Sequence, residues 1–223
     1  MTGQSCRIQR QGAMFIFSAP SGGGKSSLIK GLLKELDNIQ LSVSVTTRAK
    51  REGETDGRDY YFINDDKFKE LVEKKALYEY VDSDFGPKYG TPKKPVDDLL
   101  CQGKDVILDL DYPGVQQLRA LAGDRVKAIA LVPPSLKILL RRFYRFQLCA
   151  LVNRGTDSMD VINRRMAQAE KRVRESVFYD YVIVNDDLDA AVAEAKAIIL
   201  AARAERKDMC GLAGFIEQVV ENQ

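Results

Sequence analysis

Apolar residues along this chain fall into two kinds of run. Met14 to Phe17, Asp105-Val-Ile-Leu-Asp-Leu-Asp111, Ala128 to Val132 and Tyr181 to Val184 are short, nearly continuous apolar stretches, as in strands buried on both faces. Between them lie segments of helical spacing: Leu28, Ile29, Leu32, Leu33 and Leu36, then Val96 to Leu100, Ser135 to Arg145 after Pro133-Pro134, Met159 to Val177, and a helix opened by Asp187 or Asp189 that runs to about Arg206. Strands alternating with helices predict an α/β fold around a central parallel sheet, with ligands at the carboxyl ends of its strands. Residues 40–92 break this rhythm as a small mixed excursion. Gln40 to Val45 alternates as one strand, Tyr60 to Ile63 returns, Asn64 or Asp65 caps a helix with Phe68, Leu71 and Val72 on one face, and Leu77 to Val81 resumes strand character. Residues 207–223 read as a loosely attached tail, with one more helix through Leu212, Phe215, Ile216, Val219 and Val220.

The break after Phe17 carries the first chemistry. From Ala19 to Ser26 the spacing is that of the loop G-x-x-x-x-G-K-[ST], with Ala19 where the first glycine would stand. Backbone N–H groups at Gly22, Gly23, Gly24 and Lys25 can turn inward on anionic oxygens because no side chain crowds them, and the following helix adds its positive dipole end. Lys25 would bring a cation to the β/γ-phosphates, and the Ser26 hydroxyl would help to coordinate magnesium. Alanine takes positive φ only at a cost, so Ala19 is expected at negative φ.

Composition narrows the chemistry further. Thirty-four basic and 32 acidic residues leave +2, too even for a general nucleic-acid or membrane surface. No apolar stretch reaches the roughly 18 residues of a membrane span. The residues before Met14 lack the apolar core of a secretory signal, so a cytoplasmic setting is expected. Cys6, Cys101, Cys149 and Cys210 form no C-x-x-C pair, and histidine is absent, which removes imidazole acid/base schemes. Phosphoryl transfer suits what is left, since positioning and charge neutralisation carry most of that catalysis. Strand alternation would put Asp109 and Asp111 on one side of their strand, near Ser18 to Ser26 and Asn185-Asp-Asp187. Arg141, Arg142, Arg145, Arg154, Arg164, Arg165, Arg172 and Arg174 crowd one region, either as a solvated face or as a flap that brings arginines onto a triphosphate.

Together these segments closely resemble guanylate kinase over about residues 14–206. The likeness rests on Ser18-Ala-Pro-Ser-Gly-Gly-Gly-Lys-Ser26, Ser42-Val-Ser-Val-Thr-Thr-Arg48 with Arg51-Glu-Gly-Glu54 and Gly57-Arg-Asp-Tyr60, Tyr89-Gly-Thr91, Ile107-Leu-Asp-Leu-Asp111, Arg154-Gly-Thr-Asp157 and Val182 to Asp189. The resemblance implies a P-loop nucleoside-monophosphate kinase fold, its parallel sheet flanked by helices. Residues 1–41, 93–142 and 166–206 would form the core, 42–92 a GMP-binding lobe, 143–165 a helical lid and 207–223 a tail.

It implies transfer of the γ-phosphoryl group from ATP to GMP with magnesium. ATP would meet Ala19, Pro20, Ser21, Gly22, Gly23, Gly24, Lys25, Ser26, Ser27, Arg142, Asn185 and Asp186, and Ser26 would meet the metal. GMP would meet Ser44, Arg48, Arg51, Tyr60, Glu79, Tyr89, Gly90, Thr91, Asp109 and Asp111. Among these, Arg48 and Arg51 match the grip on the GMP phosphate, Glu79 the acceptor of guanine N1–H and amine, and Ser44 and Thr91 hydroxyls at the base. Lys25, Arg51, Arg154 and Arg165 match the groups around the transferring phosphoryl, with Arg142 as helper. The chain departs from the family's pattern at Phe143 to Val152, a longer apolar insertion in the lid, and at Pro87-Lys88 and Pro113 near the acceptor pocket. A non-catalytic module of the same fold and a kinase of a phosphorylated sugar are the alternatives. Oligomeric state is left open.

Overall fold

The computed structural model describes residues 9–82, 86–142, 159–205 and 209–221, and side chains throughout these except at 9 and 159–165. The short apolar runs do become a parallel sheet. Strand β2 (Met14–Ser18) lies at its centre, paired with β8 (Asp105–Asp109) on one side and β9 (Val126–Val132) on the other. Strands β3 (Ile39–Leu41) and β10 (Tyr181–Val184) complete the order β10-β9-β2-β8-β3, every pairing parallel.

Alternation along β2 splits its side chains between two cores. Phe15 and Phe17 pack with Leu28, Ile29 and Leu32 of α1 (Lys25–Glu35) and with Val192, Ala195 and Ile199 of α7 (Leu188–Arg203). Met14 and Ile16 pack with Val96 and Leu100 of α3 (Lys93–Cys101) and with Val115 and Leu118 of α4 (Tyr112–Ala122). Burying an apolar side chain of this size is worth about 1.5–3 kcal/mol, so β2, with all five residues buried, is the axis of the fold.

The mixed excursion forms a second sheet in the order β5-β4-β7-β6, from β4 (Val45–Thr46), β5 (Tyr61–Phe62), β6 (Leu77–Val81) and β7 (Tyr89–Pro92). Helix α2 (Asp65–Glu73) starts at Asn64, whose side chain accepts from the Lys67 N–H. Phe68, Val45 and Leu77 make a small core there. The sheet is latched to α4 by Gln117, whose amide accepts from the Tyr80 N–H and donates to its carbonyl, each at 3.1 Å.

Two expectations are corrected. Gln40 to Val45 is not one strand: β3 pairs with β8 in the parallel sheet, β4 with β5 and β7 in the small one, and the chain changes sheets at 42–44. Asp109 and Asp111 do not share a strand face, because the ladder ends at Asp109 and Asp111 is the N-cap of α4. Beyond β9, a helix α5 is described over 136–142, opened by Ser135, whose hydroxyl accepts from the Ile138 N–H. Helix α6 spans Met159–Glu175.

The lower end of the sheet is closed by residues that carry no local signal. Strands β1 (Gln9–Arg10) and β11 (Met209–Cys210) pair antiparallel, followed by helix α8 (Leu212–Glu221). The fully buried Asp105 accepts from Arg10 at 2.6 Å, from Arg203 at 2.8 Å and from the Ala13 N–H at 3.0 Å.

Candidate active site

The loop after β2 has the shape its glycines predict. Gly22 and Gly24 sit at φ 76° and 95°, a region open to glycine, whereas Ala19 is not among the residues of positive φ, as its side chain requires. A Cβ on Gly24 would lie 2.3 Å from the Asn185 side-chain nitrogen. That amide, buried, donates to the Gly23 carbonyl at 2.7 Å, while the Gly23 N–H closes a turn onto the Pro20 carbonyl. Asn185 therefore braces the loop from behind. Its own carbonyl and that of Asp186 accept from Arg142, at 2.8 and 3.0 Å.

Helix α1 begins at this turn with no side-chain cap and no acidic residue in its first turn. Its N-terminal N–H groups and dipole thus face the loop uncompensated by side chains, an arrangement suited to phosphate oxygens. Ser21, Ser26 and Ser27 are exposed beside them. Lys25 is ion-paired with Asp109 at the carboxyl end of the neighbouring strand β8.

The small sheet brings together a second constellation. Arg48 donates to Glu54 at 2.7 Å and lies over the rings of Tyr60 and Phe62, 5.4 and 5.8 Å from their centroids. Tyr89 meets Tyr60 edge-on at 6.0 Å. Hydrogen bonds from the Arg48 side chain and the Arg51 N–H hold the Glu54 carboxyl below the ordinary range. Burial pushes the Tyr60 phenol up, with Tyr89 and then Asp109 adding to it. Asp109, the partner of Lys25, is thus near enough for its charge to be felt at Tyr60. Lys88, one of the unusual positions, has its backbone tied to Thr46 and Thr47 and its ammonium to Asp82 at 3.0 Å.

Deeper in the same sheet, Glu79 of β6 and Thr91 of β7 are cross-strand partners, and the Thr91 hydroxyl donates to the Glu79 carboxylate at 2.7 Å. Both are buried, at 4% and 0% exposure. Gly90 is a glycine for reasons of space, since a Cβ there would meet Leu77 at 2.9 Å. Burial lifts the Glu79 carboxyl above its ordinary value, opposed by the Thr91 hydroxyl and reinforced by Asp111. Among the described residues Glu79 forms no salt bridge. A buried carboxylate held by the hydroxyl and backbone N–H of one residue, with no cation beside it, has lone pairs left for further donors.

Of the residues picked out from the sequence, the structure gathers Ala19 to Ser27, Asp109, Asp111 and Asn185 at the carboxyl end of the parallel sheet. Glu79, Tyr89 and Thr91 lie in strands of the small sheet, Arg48 and Tyr60 in the segment that joins β4 to β5, and Ser44 leads into β4. The Arg51 side chain is exposed. Arg154, the side chain of Arg165 and the apolar insertion 143–152 lie outside the described residues. One contact was not foreseen. Arg172 of α6 joins Asp111, at 2.5 Å, to the Ala19 carbonyl, at 3.2 Å. Its sequence signal was no more than membership of the arginine-rich segment.

Among the described residues no helix is long and apolar enough to cross a membrane. Comparison with known proteins agrees with this geometry. The guanylate kinase family model matches residues 11–202. The guanylate kinase of Zymomonas mobilis is 42% identical over 221 residues, covering 99% of this chain and 98% of that protein. That of Nitrobacter winogradskyi is 42% identical over 212 residues, 95% and 93% of the two. The crystal structure of guanylate kinase from Anaplasma phagocytophilum superposes with a TM-score of 0.73 at 29% identity, over 95% of this chain and 96% of that one. With a glycine-rich loop at the carboxyl end of a parallel sheet, and with this likeness from end to end, the chain belongs to the guanylate kinase family.

Proposed function

We propose that this protein transfers the γ-phosphoryl group of ATP to GMP, giving ADP and GDP. The reading is supported by two features: a glycine loop with an uncapped helix start, and the buried pair Glu79 and Thr91, whose carboxylate reaches the first turn of α4, where a Cβ on Gly114 would lie 3.3 Å from it. Guanine presents two donors, N1–H and its amine, to a carboxylate, whereas adenine presents an acceptor at N1 and would leave Glu79 unpaired. Each lost bond in such a closed pocket costs about 1–3 kcal/mol. Thr91 has one proton, now given to Glu79. When the guanine N–H groups take over the carboxylate, that proton is released to turn toward O6, with Ser44 beside the base.

The GMP phosphate is gripped by Arg48 and Arg51, whose guanidinium forks fit its oxygens, with hydroxyls from Tyr60 and Tyr89. Arg48 is held ready by Glu54 and the Tyr60 ring. Lys25 leaves Asp109 for the β/γ-phosphates, and the N–H groups from Gly22 to Lys25 cradle them. No general base is needed because the attacking phosphate oxygen is already an anion. Lid residues Arg154 and Arg165, with Arg142 near the adenine side, neutralise the transferring group, and closure of the lobe and lid excludes water.

The residues present fit magnesium brought in by the triphosphate. Ser26 offers a hydroxyl at the cradle, and among the described residues no group of three or more Asp, Glu, Cys or His forms a cage that would strip the ion of its waters. Ser26 would hold it, and the ion would supply charge neutralisation at the β/γ oxygens. ATP and GMP are nucleotides of the cytoplasm, which is where we place the reaction.

A coupled assay for ADP release with GMP, AMP and ribose bisphosphate as acceptors tests the reading. Turnover with GMP alone is expected. No GMP-dependent turnover would point to a binding module, and turnover with the sugar phosphate to a different kinase.

A further inference from the structure

The last turns of α6 return over the carboxyl end of the parallel sheet and present Arg172 to two loops at once. One prong of its guanidinium donates to the carbonyl of Ala19, the first position of the phosphate loop. The other donates to Asp111, the N-cap of α4 on the acceptor side. Strands β2 and β8 are hydrogen-bonded neighbours up to Phe17 and Asp109, and beyond that point their two loops leave the ladder. Arg172 spans the gap that opens there. Tyr179 is bonded to Ser18 at the same end, and the Tyr112 ring stacks on Phe178 at 5.1 Å, so the place Arg172 reaches is built rather than open.

We propose that Arg172 is a positioning residue of the acceptor site, which holds Asp111 in register with the phosphate loop so that the GMP pocket and the ATP cradle are set at a fixed spacing. This rests on the assignment of GMP as acceptor. The two ends of the bridge are unequally supported. The loop backbone is also fixed by the Gly23 turn and by Asn185, whereas Arg172 is the ion-pair partner of Asp111 among the described residues. Removing the arginine therefore disturbs the acceptor side more than the donor side. It also strips the compensation from a carboxylate whose field already reaches Glu79. A lysine could keep the ion pair but lacks the planar fork that serves both loops.

The test is steady-state kinetics of Arg172→Ala and Arg172→Lys with each nucleotide varied in turn, alongside thermal melting and a double-mutant cycle with Asp111→Asn. Arg172→Ala is expected to raise the KM for GMP about tenfold, as loss of one charged hydrogen bond does, with the KM for ATP within about twofold. Arg172→Lys, which keeps the ion pair without the bridge to Ala19, should recover only part of that loss, and Arg172→Ala on top of Asp111→Asn should add little. An unchanged KM for GMP in Arg172→Ala, or a parallel rise in both KM values with a fall in melting temperature that Arg172→Lys shares, overturns the proposal. If the unmodified protein transfers nothing to GMP, the functional reading falls and takes this one with it. If it does transfer, a null result in the variant sinks the positioning role alone.

Discussion

Among the described residues two carboxylates are buried, and they are treated in opposite ways. Asp105, at the lower end of the parallel sheet, is met by two guanidinium groups and a backbone N–H, so each of its oxygens has a donor. Glu79, in the small sheet, is met by the hydroxyl and backbone N–H of Thr91 and by the field of another acid, with no salt bridge among the described residues, and its carboxyl is pushed upward. A buried charge with its partners in place serves the fold, whereas one left short of donors is costly to keep and is retained where a ligand supplies them. The same contrast separates Arg203, fixed between Asp105 and the Asp37 carbonyl, from Lys25, paired only with the half-exposed Asp109 among the described residues.

The contrast can be broken most severely at Asp105. Asp105→Ala strands Arg10, Arg203 and the Ala13 N–H and should cost about 3–5 kcal/mol of stability in denaturant unfolding, while the kcat/KM of the protein that remains folded is unchanged. A loss of catalysis out of proportion to the folded fraction would erase the distinction between the two acids. Lys25→Ala should do the reverse, lowering kcat by about a hundredfold to a thousandfold with the melting temperature nearly unaltered. Intact turnover in that variant would remove Lys25 from the mechanism.

The smallest effect is a graded one with pH. Because the folded protein holds the Glu79 proton more tightly than the unfolded chain does, the contribution of this group to stability declines as pH rises from the ordinary carboxylate range through its own raised value. GMP use moves the opposite way, since a protonated carboxyl cannot accept from both guanine N–H groups. The stability of Glu79→Gln relative to the unmodified protein should therefore increase with pH, while the KM for GMP of the unmodified protein climbs on acidification. A stability difference flat in pH would mean that Glu79 is not strained by its burial.

Whatever rested on local pattern was legible in the sequence. The runs at 14–17, 128–132 and 181–184 became strands, the glycine turn became the loop, and Asn64 became a cap, because each depends on neighbours a few residues away. What depends on distant partners was not. The alternation of Gln40 to Val45 looks the same whether the chain stays in one sheet or crosses between two, and Asp111 keeps the spacing of a strand after the ladder has ended. The Tyr89–Pro92 strand is hidden by its glycine and proline. Arg10, Asp105 and Arg203 are separated by 95 and 98 residues, and Arg172 by 153 from Ala19, so nothing local marks them as partners. In the candidate site, motif spacing pointed to the loop and the family resemblance to residues of the small sheet, but neither could show that Lys25 is paired with Asp109 or that Asn185 braces the glycines.

The central claim is that Glu79 chooses the purine. It is tested most directly by the ratio of kcat/KM for GMP over AMP in the unmodified protein and in Glu79→Gln, measured by ADP release. The account predicts a strong preference for GMP that falls by about a hundredfold or more in the variant, through loss of GMP use, with the fold retained. A ratio unchanged by the substitution would contradict it.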